Sequence, residues 1–196
     1  AAALVMGRTV LDADVILARD FAPRRATGTL TTGTLSSSFR TDLPEDGRID
    51  AGAELRLSAG EGSMIGVELP GRLITLGETN LSLTARGPRE ALDWALALDT
   101  ARLQTAEARL DGLALRLEGE KLDTTARTVR PDVAARLTAR HVAPLIEGAE
   151  MLAGPLALEA RAAIDPAGPG AEISDLTLTL TGIEARVDGT LTAETI

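Results

Sequence analysis

The sequence predicts a mainly β protein: a long run of antiparallel two-faced strands, interrupted by one short amphipathic helix. Three observations carry that expectation. Apolar and polar residues alternate singly over most of the chain, the period of a strand with one apolar face. Short turns bearing Gly, Pro or Asp separate these runs, which favours antiparallel neighbours. Aromatic residues make up only 2%, so the apolar face is built of Leu, Ala, Val and Ile rather than rings.

In chain order, Leu11, Ala13, Val15 and Leu17 form the first clear strand, and Phe21-Ala-Pro-Arg-Arg25 reads as a break. Ala26 to Phe39 is β-like in its threonines but loosened by Gly28 and Gly33. The cluster Thr41–Gly47 is a turn, after which Ile49, Ala51, Ala53, Leu55 and Leu57 alternate cleanly with Asp50, Glu54 and Arg56. Gly60-Glu-Gly62 and Pro70–Gly71 bound a strand over Met64–Leu69, and Leu73–Leu76 begins the next. Leu81, Leu83 and Ala85 continue the pattern to a corner at Gly87–Glu90. Trp94, Leu96 and Leu98 follow, then a less regular passage over Leu103–Ala108. Leu113, Leu115 and Leu117 alternate with Ala114, Arg116 and Glu118, and two more strands follow over 122–130 and 133–139.

The period changes at Val142–Ala153. There Leu145, Ile146, Ala149 and Leu152 fall at helical spacing, with Pro144 suited to a first turn and Gly154 to a stop. Strand alternation resumes at Leu156, Leu158, Ala160, Ala162 and Ile164. A final hairpin follows, with Leu176, Leu178 and Leu180 before Thr181–Gly182 and Ile183, Ala185 and Val187 after it. Roughly a dozen strands in one sheet exceed what open sheets usually hold without curling, splitting or closing. Alternation alone leaves a trough, a sandwich and a barrel equally open.

Composition excludes several functions. The net charge is −9 and no basic cluster exceeds Arg24–Arg25, which opposes nucleic-acid binding. With no Cys among 196 residues there is no disulfide, thiolate catalysis or Cys-based metal site. No apolar run approaches the ~20 residues of a membrane-spanning helix. The ends read as though already within strands, so the chain is expected to be one continuous segment, 1–196, of a longer repeating β-groove.

No catalytic constellation is visible, and the chain is expected not to be an enzyme. His141 is the single histidine and has no carboxylate at a recognisable spacing. The pairs Asp12/Asp14 and Glu118/Glu120 sit two apart, as solvated strand faces do. Pro44–Asp50 lacks the ordered ligands of a calcium loop, and Gly28–Gly33 lacks the Lys and Ser/Thr of a phosphate loop. Asn80-Leu-Ser82 matches a glycosylation sequon, a weak signal alone. Neither a metal nor another cofactor is called for.

Three passages carry a resemblance: LDGLALRLEG (110–119), HVAPLIEGAEMLAGPLALEARAAID (141–165) and ISDLTLTLTGIEARVDGTLTA (173–193). In these the chain resembles the AsmA-like superfamily of Gram-negative envelope proteins, most closely its TamB branch. That family interrupts strand repeats with a short helix, then a Gly and a new strand pair. Val142-Ala-Pro-Leu145 and Gly154-Pro-Leu156 stand in those places.

The resemblance implies an inner-membrane anchor lying outside this chain and, of the three shapes, a long antiparallel curled sheet, an open β-groove crossing the periplasm. It further implies phospholipid acyl chains as cargo and a TamA-like outer-membrane barrel as partner in outer-membrane protein assembly. The expected groove wall is Leu55, Leu57, Leu81, Leu83, Leu113, Leu115, Leu117, Leu156, Leu158, Leu176, Leu178 and Leu180. Two other non-enzymatic functions fit the residues: a scaffold that takes client polypeptides by β-augmentation, and a closed structural spacer.

Overall fold

A computed structural model describes residues 9–18, 23–44, 47–58, 64–69, 72–123, 132–164, 170–181 and 183–192. The strands are β1 (Thr9–Leu17), β2 (Pro23–Thr32), β3 (Leu35–Asp42), β4 (Arg48–Leu57), β5 (Ile65–Leu69), β6 (Arg72–Leu76) and β7 (Thr79–Pro88). They continue as β8 (Leu92–Gln104), β9 (Ala108–Leu122), β10 (Asp132–Pro144), β11 (Gly154–Ile164), β12 (Gly170–Leu180) and β13 (Ile183–Thr192).

All belong to one open, curled antiparallel sheet. Its order is β1-β2-β3-β4-β7-β8-β9-β10-β11-β12-β13, a meander in which each strand pairs with the next. Eleven strands at about 4.8 Å spacing extend roughly 50 Å along the sheet. Among the described residues, substantial contacts run only between neighbouring strands, apart from β10 against a single helical turn. No second layer covers either face there, which answers the alternation's three-way question in favour of the open sheet.

The turns explain the regularity. Gly33, with φ +50, and Thr34 join β2 to β3; a glycine at positive φ gives a two-residue turn whose twist matches the right-handed twist of the paired strands. The first Gly-Thr-Leu step thus lies within β2, while the second forms the turn and opens β3, so Ala26 to Phe39 is a hairpin and not one loosened strand. The β5–β6 hairpin prolongs the β4–β7 pair past its end. Gly77 and Glu78 join β6 to β7 without leaving β8: the Gly77 N–H donates to the Arg102 carbonyl at 2.8 Å, and the Ala101 N–H to the Glu78 carbonyl at 2.9 Å.

Three expectations need correction. The helix over 142–153 is absent. Val142 and Pro144 stay in β10, opposite Leu110 and Ala108, and only a three-residue 3-10 turn, Glu150–Leu152, follows. Gly148 at φ +83 takes the chain out of the helical region midway, so one α-helical run cannot form. The break read at Phe21–Arg25 is shorter than expected, because Pro23, Arg24 and Arg25 already belong to β2. β9 runs on to Leu122, and the strand expected over 122–130 otherwise lies outside the described residues, as does the turn at Gly60–Gly62.

Candidate functional site

Opposed residues of an antiparallel pair share a face, so the register can be followed across the whole sheet. One transverse row reads Leu11, Leu30, Ser37, Leu55, Leu81, Leu98, Leu115, Leu137, Leu158, Leu178 and Ala185. From Leu55 to Leu178 it holds seven leucines on seven consecutive strands, a lane of roughly 29 Å at about 4.8 Å per step.

Two parallel rows flank it on the same face. On one side lie Thr32, Leu35, Leu57, Thr79, Thr100, Leu113, Ala139, Leu156 and Leu180. On the other lie Gly28, Phe39, Ala53, Leu83, Leu96, Leu117, Ala135, Ala160, Leu176 and Val187. All twelve leucines expected to form the wall therefore stand on one face, in three adjacent rows. Sequence reading left out Leu96, Leu98 and Leu137. Their alternation was visible, but only the register shows Leu98 and Leu137 bridging Leu81, Leu115 and Leu158.

Burial concentrates on this face. Leu113 is 7% exposed and Ala139 4%, with Thr79 and Thr100 at 3%. In a sheet without a covering layer, such burial comes from same-face neighbours. The buried threonines are satisfied internally. Thr79 Oγ1 donates to Thr100 Oγ1 at 2.9 Å, and Thr100 Oγ1 to the Arg102 carbonyl at 3.0 Å.

Both rings on the face lie over a glycine directly opposite them. A Cβ at Gly119 would meet the Trp94 indole at 2.3 Å, and one at Gly28 would meet the Phe39 ring at 2.5 Å. The rings therefore lie flat across the neighbouring strand, with the Trp94 Nε1 buried and without an acceptor. The result is an aliphatic floor of low relief.

The opposite face is charged and largely paired across strands. Arg116 clasps Asp99 through two bonds of 2.8 and 2.9 Å, Arg86 meets Asp50 at 3.2 Å, and Arg136 lies 3.3 Å from Glu159. Arg186 is 3.3 Å from Asp175 Oδ1, an ion-pair distance without hydrogen-bond alignment. Hydrogen bonds from Arg25 and then Arg40 hold the Asp42 carboxyl below its ordinary pKa. Asp111, opposite Arg102 in the register, is lowered first by its hydrogen bond from Arg102; burial opposes this, and the charges of Arg109 and Arg102 add to the lowering.

Cavities open on this charged side, one of about 300 Å³ near Ser38, Arg40, Asp50 and Arg86, another of about 520 Å³ near Arg116, Arg136, Glu159 and Arg161. The leucine lane is an open floor, not a chamber. His141 is exposed, opposite Asp111, and Asn80 and Ser82 fall on the charged face of β7. Among the described residues no three His, Cys, Asp or Glu side chains gather at metal-binding spacing. Compared with models of known families, with curated proteins and with solved structures, the chain matches none.

Proposed function

We propose that this chain is a segment of a non-enzymatic, periplasm-spanning bridge that carries phospholipids between inner and outer membranes. Acyl chains lie in a hydrophobic β-groove, as the resemblance to the TamB branch of the AsmA-like superfamily implies. On this reading the inner-membrane anchor, and the contact with a TamA-like barrel that links the bridge to outer-membrane protein assembly, lie in regions outside this segment.

The observation that carries the reading is the uninterrupted leucine lane on the uncovered apolar face. Each methylene taken from water onto such a surface recovers ~0.8 kcal/mol. Because every step of the lane offers the same side chain, a chain sliding along it exchanges like contacts for like, which favours movement over arrest. The open side leaves a headgroup in water, so no buried polar site is needed.

The experiment compares lipid co-purified with wild-type protein, Leu115→Arg and Arg116→Leu, quantified by mass spectrometry. Leu115→Arg places a charge in the middle of the lane and is expected to empty it. Arg116→Leu changes the opposite face and is expected to leave lipid in place. Equal lipid content in the two variants would overturn the facing of the groove. A second reading, a scaffold that binds client polypeptides by β-augmentation, draws on the sheet's ends: among the described residues β1 and β13 each pair on one side only. It predicts captured peptide without lipid.

A further inference from the structure

Three neighbouring connections share one rim of the sheet: residues 105–107 between β8 and β9, 145–153 between β10 and β11, and the turn at Thr181 between β12 and β13. Because β10 and β11 are paired on both sides, the central connection belongs to the rim and not to either end of the sheet. Its backbone is held in place. The Leu145 N–H donates to the Glu107 carbonyl at 2.8 Å, the Leu152 N–H to the Ala149 carbonyl at 2.9 Å, and Thr181 Oγ1 to the Ala153 carbonyl at 3.0 Å. Its large side chains nevertheless stand in solvent. Met151 is 80% exposed, Ile146 56% and Leu145 49%, and Ile183, just past the neighbouring turn, is 58% exposed. Charge here has one sign: Glu107, Glu147, Glu150 and Glu184 lie in or beside the three connections, all exposed, and none of the connections holds an arginine or lysine.

We infer that this rim is a docking site for a segment of a partner polypeptide that sets aliphatic side chains among lysines or arginines. Exposed apolar clusters bordered by polar residues mark interaction sites, and here the border is wholly acidic. Leu145, Ile146, Met151 and Ile183 supply the apolar contact, the unbranched Met151 adapting to the partner's shape. The four glutamates select the basic residues and repel acidic competitors. A membrane surface is disfavoured, because the same carboxylates would face its phosphates. A second copy is disfavoured too, because it would bring another acidic rim and a net charge of −9 against the first. This inference is independent of the lipid groove, which uses the apolar face of the sheet and not its rim.

The test measures binding of a short fluorescent amphipathic peptide of Leu and Lys, and of its Leu and Glu counterpart, by anisotropy at low salt. The Lys peptide is expected to bind more tightly. In I146S/M151S, which removes exposed side chains only, its affinity falls roughly tenfold. In E147K/E184K it also falls, while the Glu peptide gains. The variant L11S/V15S removes comparable exposed aliphatic surface from the apolar face and is expected to leave both affinities unchanged. Equal binding of both peptides, or an equal response to I146S/M151S and L11S/V15S, would overturn the proposal. So would self-association, or binding to vesicles of phosphatidylcholine and phosphatidylglycerol, that I146S/M151S abolishes.

Discussion

On the apolar face, the span from β4 to β12 and the β2–β3 hairpin share one architecture and differ in what they present. From β4 to β12 the central row is leucine at every strand, and the rows beside it bury Leu113, Ala139, Thr79 and Thr100. In β2–β3 the same row passes through Leu30 and Ser37, and Phe39 beside it is 40% exposed. Pairing is continuous through both. Ladder hydrogen bonds thus extend the sheet whatever the face carries, while side chains decide where it becomes a continuous apolar surface. On the proposed reading, Ser37 is where the lane breaks.

A charge separates the two regions most sharply. Leu137→Asp is expected to lower unfolding free energy by about 3 kcal/mol, because a carboxylate there faces leucines of both neighbouring strands, Leu115 and Leu158. Leu30→Asp, beside Ser37, is expected to cost about 1 kcal/mol in the same urea titration; equal losses would dissolve the comparison. The glycines under the rings come next. Gly119→Val drives a side chain into the Trp94 indole and is expected to cost about 2 kcal/mol, whereas Phe39, more exposed, can swing away from Gly28→Val for about half of that.

Filling the break reverses the sign. Ser37→Leu joins Leu30 to Leu55 and is expected to raise stability by roughly 0.5 kcal/mol, read as a shift in the denaturation midpoint at constant slope. The smallest effect is on pH. Asp42 titrates below its unfolded value because Arg25 and Arg40 hold its charged form. Its contribution is therefore complete above the ordinary carboxylate range and lost as pH falls through the lowered folded value. Wild-type and Asp42→Asn should differ slightly at neutral pH and converge at strongly acidic pH. A gap that widens on acidification would contradict the assignment.

Much of the strand pattern was legible because alternation marks a two-faced strand without reference to its neighbours. Leu55/Leu57, Leu113/Leu115/Leu117 and Leu176/Leu178/Leu180 came out on one face for that reason. Properties of pairs were not legible. Nothing near Trp94 in sequence points to Gly119, and the lane through Leu98 and Leu137 exists only once the register is fixed. At Ile173–Leu176 the spacing changes parity, and a register shift absorbs the extra residue. The helical spacing at 145–152 misled because four apolar residues can satisfy a helical period while a positive-φ glycine between them forbids the helix.

The measurement that bears most directly on the central claim is photo-crosslinking in cells with a reactive side chain at position 115 or at position 116. These neighbours differ by one residue and face opposite sides of β9. Lipid adducts at 115 and none at 116 are the predicted result. Lipid adducts at both sites, protein adducts at 115, or none at 115 would contradict a lipid-bearing apolar face.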